Sequence, residues 1–430
     1  MTATFIAFAG ALLLIFLRLP IAVALVLVGA FGLFSELGLN PTRSMLGMAA
    51  QGSTMSYSLS VLPLFVLMGN LVAGAGISGN LFRTAQLFLA HRRGGLGMAT
   101  ILASGGFGAI CGSSVATAAT MSRVAIPPMR EWGYSDRLAA ATVAAGGTLG
   151  ILIPPSVVMV IYGISTQSHI GMLFAAGFVP GLLGVIGYLI AVRYVVWRNP
   201  AAAPRTARSG WPERLASLVT IWPVLALFTL VIGGIYGGFF TATEAAGIGA
   251  TGALVFAVFS RSLSLVQLGE IFVDTALVTT ALLGVVFGAN VFVEFVNMTG
   301  VHTHLQALVQ TAGLPPLGVI AIIVLVYLVL GCLLETISMI LITLPVFFPV
   351  VTGLGYDPIW FGVIVVVAAE IGLITPPIGI NLFVIRSVNP DIPISTIFRG
   401  VAPFVVIDIL RLALLVLVPV LSLWLPNLLF

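Results

Sequence analysis

The residues of this chain best suited to chemistry are hydroxyls, and they fall into two sets. Ser113, Ser114 and Thr117 lie together with Ser156 farther on, and Thr336, Ser338 and Thr375 form the second set. Hard oxygen ligands without a carboxylate cage suit a monovalent cation such as sodium better than a transition metal. Any one of these hydroxyls could equally be an ordinary packing group. Two sets at matching interruptions of the chain favour the binding reading. Two acidic residues sit among them in apolar sequence. Glu335 could couple an ion or cap a helix, and Glu370 could hold a proton or cation, or pair with an arginine. There is no Ser/His/Asp set, no paired-His motif and no Gly-x-x-x-x-Gly-Lys loop. The sequence therefore gives no basis for ATP hydrolysis or proteolysis, and no catalytic residue is assigned. His302-x-His304 reads as a solvated outer-loop pair, and Cys111 and Cys332 as packed thiols rather than a disulfide framework.

Composition sets the solvent in which this chemistry occurs. The chain is 60% hydrophobic and 7% charged, with a mean hydropathy of +1.20, whereas soluble domains carry roughly a quarter charged residues. It is an integral membrane protein for almost all of its length, without room for an aqueous catalytic domain. Met1 to Leu17 lacks a basic leader and a cleavage site, so it reads as a first transmembrane helix. All 17 cations are arginine, in short loops, so the net charge of +4 reports topology and not nucleic-acid binding.

Residues 94–122 carry no charge, and 20 of the 29 are Gly, Ala, Ser or Thr. One ordinary span is possible by length. The Gly112-Ser-Ser run should break it, and lipid cannot satisfy the freed backbone groups. The segment reads as a re-entrant hairpin with its tip at Gly112–Thr117. Apolar helices fit at 4–17, 20–37, 57–76 and 172–197, with an amphipathic piece at 79–93 and a basic linker at 198–210. The second half offers spans at 217–238, 241–260 and 268–296, a stretch at 317–352 broken near 331–336, and a last span within 401–428. Segments 137–166 and 357–385 are each interrupted, at Pro154-Pro155 and Pro376-Pro377. Ten crossings and two hairpins place fifteen arginines on one side and only Arg43 clearly opposite. This bias puts both termini outside, and a single span at 94–122 would destroy it.

The two halves align at an offset of 222 residues: Pro127 with Pro349, Gly133-Tyr134 with Gly355-Tyr356, Gly150 with Gly372, and Pro154-Pro155 with Pro376-Pro377. Five spans separate the copies, an odd number, so the second is inverted. Paired interruptions of this kind mark a transporter site. A Pro-Pro pair removes two backbone donors and unwinds the helix, exposing half-helix ends to ions and anions.

Gly105-Gly-Phe-Gly-Ala-Ile-Cys-Gly-Ser-Ser-Val-Ala-Thr117, Gly133-Tyr134, Ile153-Pro-Pro-Ser156 and Gly372-Leu-Ile-Thr-Pro-Pro-Ile-Gly379 resemble the large membrane subunit of TRAP (tripartite ATP-independent periplasmic) transporters. The resemblance covers essentially the whole chain. It implies a sodium-driven secondary transporter with an elevator-type moving domain in the bacterial inner membrane. A small four-helix membrane subunit and a periplasmic substrate-binding protein are the implied partners. The implied cargo is a small organic acid: a dicarboxylate, a keto acid or a sugar acid. No cofactor is expected beyond the coupling sodium ions. Glu370 departs from the pattern, which commonly carries an amide there.

The expected fold is thus an all-α polytopic membrane protein of about ten transmembrane helices and two re-entrant hairpins in two inverted repeats. Residues 1–93 are expected as scaffold helices and arm, 94–166 as the first transport part, and 167–216 as scaffold helix and linker. Residues 217–316 are expected as scaffold helices, 317–388 as the second transport part, and 389–430 as a C-terminal scaffold helix. The expected cation ligands are Gly112, Ser113, Thr148, Gly150 and Pro154 in one site, and Glu335, Thr336, Gly372, Thr375 and Pro376 in the other. Ser114, Thr117, Pro155, Ser156, Ser338, Pro377, Gly379 and Asn381 are expected to face the cargo.

Overall fold

A computed structural model describes residues 2–205, 208–311 and 313–430, so Thr206 and Ala207 of the linker lie outside it. The described residues are helical almost throughout. The first half contains α1 (Thr2–Phe16), α2 (Ile21–Leu37), α3 (Leu39–Thr54), α4 (Val61–Gly74) and α5 (Ile77–Leu89). It continues with α6 (Gly95–Cys111), α7 (Ser114–Glu131), α8 (Asp136–Thr148), α9 (Val157–Thr166) and α10 (Ile170–Arg198). A connector, α11 (Trp211–Thr220), precedes α12 (Trp222–Tyr236), α13 (Ala242–Phe259), α14 (Leu265–Met298) and α15 (Val301–Thr311). Then come α16 (Pro316–Gly331), α17 (Thr336–Gly353), α18 (Pro358–Ile374), α19 (Ile380–Val388), α20 (Ile394–Leu417) and α21 (Val420–Leu429).

The 222-residue offset reaches farther than the sequence motifs. It carries α1 onto α12, α2 onto α13, and each of α5 to α10 onto α15 to α20, with α7 and α17 matching at both ends. The long α14 takes the place of α3 and α4 together. Packing is reciprocal as well: α2 lies on α14, and α4 lies on α13. Hydropathy alone assigns no element to 39–54, because α3 mixes polar and apolar residues; its Thr42 and Ser53 are nevertheless buried. His302 and His304, expected in a loop, sit on α15, the counterpart of the amphipathic α5. The expected last span is two helices, α20 and α21. Among the described residues, six helices are long and apolar enough to cross a membrane alone, or seven counting the pair α11 and α12, bent by 48°.

Local chemistry explains the element ends. Gly112 lies in the left-handed region (φ +64), turning α6 back toward α7, whose first turn is capped by the Ser113 hydroxyl accepting from the Ala116 amide. The hairpin tip is therefore Gly112–Ser113, shorter than the expected Gly112–Thr117, and Ser114 to Thr117 already belong to α7. Ser135, Ser156 and Asp357 cap α8, α9 and α18 in the same way. Glu244 forms a capping box with Thr241 at the start of α13.

The broken helices form the centre. Every residue from Leu138 to Thr148 in α8, and from Ile359 to Ile374 in α18, is buried. A helix apolar all round belongs in a core. The outer helices instead expose large apolar side chains such as Phe31, Leu225 and Leu277, which suits contact with lipid. α10 packs on α6, α8 and α18, and α20 on α8, α10 and α18. The expected boundaries at 167 and 389 thus do not separate packing units: α10 and α20 are built into the hairpin bundle.

Candidate functional site

In the first repeat, the hairpin and the helix break meet through bare backbone. A side-chain carbon added to Gly108 would stand 2.5 Å from the Gly150 Cα, and one added to Gly112 would stand 3.1 Å from the Pro155 carbonyl. The Thr117 hydroxyl donates to the Ser113 carbonyl at 2.7 Å, and both groups border Gly150. Ser156 caps α9 and also donates to the Ile151 carbonyl, so its hydroxyl is spent inside the break. Thr148 faces elsewhere, with its hydroxyl 3.0 Å from that of Tyr188.

The second repeat repeats the contact. A carbon added to Gly372 would lie 2.3 Å from the Gly331 carbonyl carbon. Glu335 turns its carboxylate onto the amides of Ile337 and Ser338, at 3.1 and 3.2 Å, and onto the Ser338 hydroxyl at 3.3 Å. It acts as the cap of α17, the structural one of its two expected roles. Thr375 donates to the Ile371 carbonyl, and Gly379 turns the chain into α19 (φ +61).

The two breaks differ in exposure. Pro154 and Pro155 are buried, whereas Pro376 and Pro377 are exposed. α10 presents Gly177 and Gly181 to Leu152 and Ile153 of the first break. The positions in α20 that match at the same offset are Arg399 and Pro403, too bulky for such an approach.

Both tips open on one cavity of about 360 Å³. Gly112, Ser113 and Ser114 line it from one hairpin and Glu335, Thr336 and Ile337 from the other, while Asn70 of α4 and Val278 of α14 close it from outside. Ser338, Thr117 and Ser156 are not on its wall. Asn381, from the start of α19, donates to the Ser114 hydroxyl at 2.7 Å and leaves its own carbonyl oxygen buried without a partner. Each hairpin's second arm also packs on the other repeat's half-helix, α7 on α19 and α17 on α9, so the cavity belongs to both repeats. Replacing Asn381 by leucine strands the fully buried contact at Ser114. The expected loss is about 1–3 kcal/mol, read as a lower melting temperature of the detergent-solubilised chain.

Sequence reasoning left an arginine partner open for Glu370 but missed the buried polar group to which both belong. Glu370 pairs with Arg411, which also lies 3.0 Å from Asp408, and Asp408 accepts from Tyr188. Glu370 and Asp408 are 0% exposed and Arg411 is 4%. Of the two readings open for Glu370, the structure gives the arginine partner. Gly184 of α10 makes room for the guanidinium: a side-chain carbon there would lie 2.0 Å from Arg411 Nη1. The available signal was Asp408 and Arg411, two opposite charges three apart in an otherwise apolar span. On the aqueous rim, Arg130 bridges Asp136, at 2.6 Å, and Asp391. That bond holds the Asp391 carboxyl below its ordinary value and ties both repeats together.

Residues 8–421 match the family model described as the tripartite ATP-independent periplasmic transporter, DctM component. The chain is 38% identical over 376 residues to the C4-dicarboxylate TRAP transporter large permease protein of Pseudomonas aeruginosa, covering 86% of each. It is 34% identical over 428 residues to the sialic acid TRAP transporter large permease protein of Vibrio cholerae, covering 97% of each. Among solved structures, the YdaH transporter of Alcanivorax borkumensis superposes with a TM-score of 0.60 at 17% identity, over 90% of this chain and 88% of that one. At that identity the likeness speaks for the fold.

Proposed function

The chain belongs to the DctM family of tripartite ATP-independent periplasmic transporters, as a large permease subunit and not an enzyme, and on that premise we propose that it carries a small organic acid across the bacterial inner membrane in symport with sodium. The observation that carries this reading is the shared cavity, lined by both hairpin tips and by Ile151, Val157 and Leu373 beside the two helix breaks. The sodium ions are co-transported cargo. One site uses the tip and break oxygens near Gly112, Ser113 and Gly150, and the other those near Thr336, Gly372 and Thr375. The cargo's carboxylate sits between the tips at Ser114, where the N-terminus of α7 favours an anion.

The hairpins, the broken helices and the packed α10 and α20 move together as the elevator, against α1 to α4 and α12 to α14. A small four-helix subunit braces those outer helices, and a periplasmic binding protein delivers the cargo. Both termini face the periplasm. Two of the relatives are named for acids, a C4-dicarboxylate and sialic acid, which supports this cargo class, while others are named for ectoine and isethionate.

Reconstitution into vesicles tests the proposal. Uptake is expected to need a sodium gradient, the binding protein and the small subunit. Uptake by this chain alone would make it a stand-alone cation and divalent-anion symporter. Thr336→Ala removes a hydroxyl from the cavity wall, an expected cost of about 1–3 kcal/mol for an ion that used it. The apparent sodium constant should then rise roughly five- to a hundredfold, with exposed Thr251→Ala of α13 as the unaffected control. An unchanged sodium dependence in folded Thr336→Ala protein removes that residue from the site.

A further inference from the structure

The corner between α5 and the first hairpin is clamped to the end of α10. Gly94 lies in the left-handed region (φ +77), and a side chain there would meet Val192 at 3.1 Å and Val196 at 3.0 Å. This close approach sets Arg92 and Arg93 beside Arg193, and with Arg205 of the connector they line a pocket of about 850 Å³. No acidic residue lines it. Among the described residues, ion pairs are made by Arg130 and Arg411 alone, so none of the four arginines lining the pocket is paired with a carboxylate. Four like charges at one pocket favour an anion.

The approach to the pocket says which kind of anion. Leu182, Ile186 and Ile190 of α10 are 48%, 50% and 56% exposed, and their four-residue spacing keeps them on one side of the helix. The stripe continues into Tyr194 and Trp197, whose rings lie 6.4 Å apart, and then into the arginines. Apolar track, aromatic pair and cation cluster follow the order of acyl chain, interface and headgroup in a lipid leaflet. A soluble anion would use the arginines and ignore the track. We propose that this pocket binds the phosphate of an anionic phospholipid, with an acyl chain lying along Leu182, Ile186 and Ile190.

Native mass spectrometry of the full chain in detergent tests this, with phosphatidylglycerol, phosphatidylcholine and inorganic phosphate as separate probes. Phosphatidylglycerol is expected to bind in preference to phosphatidylcholine. Each basic residue near a headgroup is worth about 1 kcal/mol, so Arg205→Gln should weaken phosphatidylglycerol roughly fivefold and the Arg93→Gln, Arg193→Gln double variant about thirtyfold. Arg205 lies in the connector, so its replacement keeps the test readable if the double variant folds poorly. Ile186→Ala with Ile190→Ala should weaken the lipid alone. Arg43→Gln and Arg261→Gln, away from the pocket, should change nothing. Three results would overturn the proposal: no preference for phosphatidylglycerol, equal weakening by the Arg43 and Arg261 variants, or displacement by phosphate with the isoleucine variants silent. The last would leave a soluble-anion site in its place.

Discussion

Arg411→Ala is expected to destabilise the folded chain by about 3–5 kcal/mol, because it leaves two buried carboxylates without their cation. Among the described residues, Arg411 is the only positive charge in contact with Glu370 and Asp408. Neither carboxylate is exposed, and one Glu370 oxygen already lacks a hydrogen-bond donor. The pairing also joins α18 to α20, with Tyr188 of α10 on the far side of Asp408, so the loss should loosen three helices together. The measurement is thermal unfolding in detergent with the folded fraction followed by size exclusion. A triple variant, Glu370→Leu with Asp408→Leu and Arg411→Met, removes all three charges at similar volume and should recover much of the loss. Wild-type melting of Arg411→Ala would show that the cluster is not paired as described.

Gly372→Ala should be nearly as damaging, for a steric reason. The new methyl would stand 2.3 Å from the Gly331 carbonyl carbon, 2.5 Å from its oxygen and 2.6 Å from its Cα. These are backbone atoms that no rotamer change can move aside. Overpacking in cores costs typically 1–3 kcal/mol, and here relief requires parting the second hairpin from α18 at the cavity. Uptake should fall more steeply than stability, since the shift lands beside Thr336 and Thr375. Gly108→Ala makes the matching clash with Gly150 at 2.5 Å and should behave alike. Gly79→Ala and Gly269→Ala are the controls: nothing lies within 4 Å of either new methyl, and alanine favours a helix by up to about 1 kcal/mol over glycine. Normal uptake by Gly372→Ala would mean that hairpin and break are not in contact.

Much of this was legible in the sequence because the interruptions use residues with few conformational options. Gly112, the Pro154-Pro155 pair and its match at Pro376-Pro377 could be placed without knowing any neighbour. α3 and α15 were not legible, since a helix that mixes polar and apolar residues gives hydropathy little to find. The association of α10 and α20 with the bundle was also hidden. Their apolar spans look like any lipid-facing helix, and the distinguishing features are small: Gly177, Gly181 and Gly184 on one, Asp408 and Arg411 on the other. Side-chain direction was the other blind spot. Ser156 and Thr148 stand at the right places in the chain, yet one hydroxyl serves its own break and the other turns to Tyr188.

The reciprocal packing of α2 on α14 and α4 on α13 has a consequence for how the chain is made. Gly29 of α2 approaches the backbone of Phe292 so closely that a side-chain carbon would stand 2.8 Å from its amide nitrogen, and Phe292 is synthesised more than 260 residues later. At roughly 5–20 residues per second, the first half waits in the membrane for more than ten seconds with its inner face unmatched. During that interval its partners are lipid or the insertion machinery. The two halves thus act as late-joining subunits that happen to share one polypeptide, and their joint is the connector around α11, which like the last helix, α21, has no counterpart in the repeat.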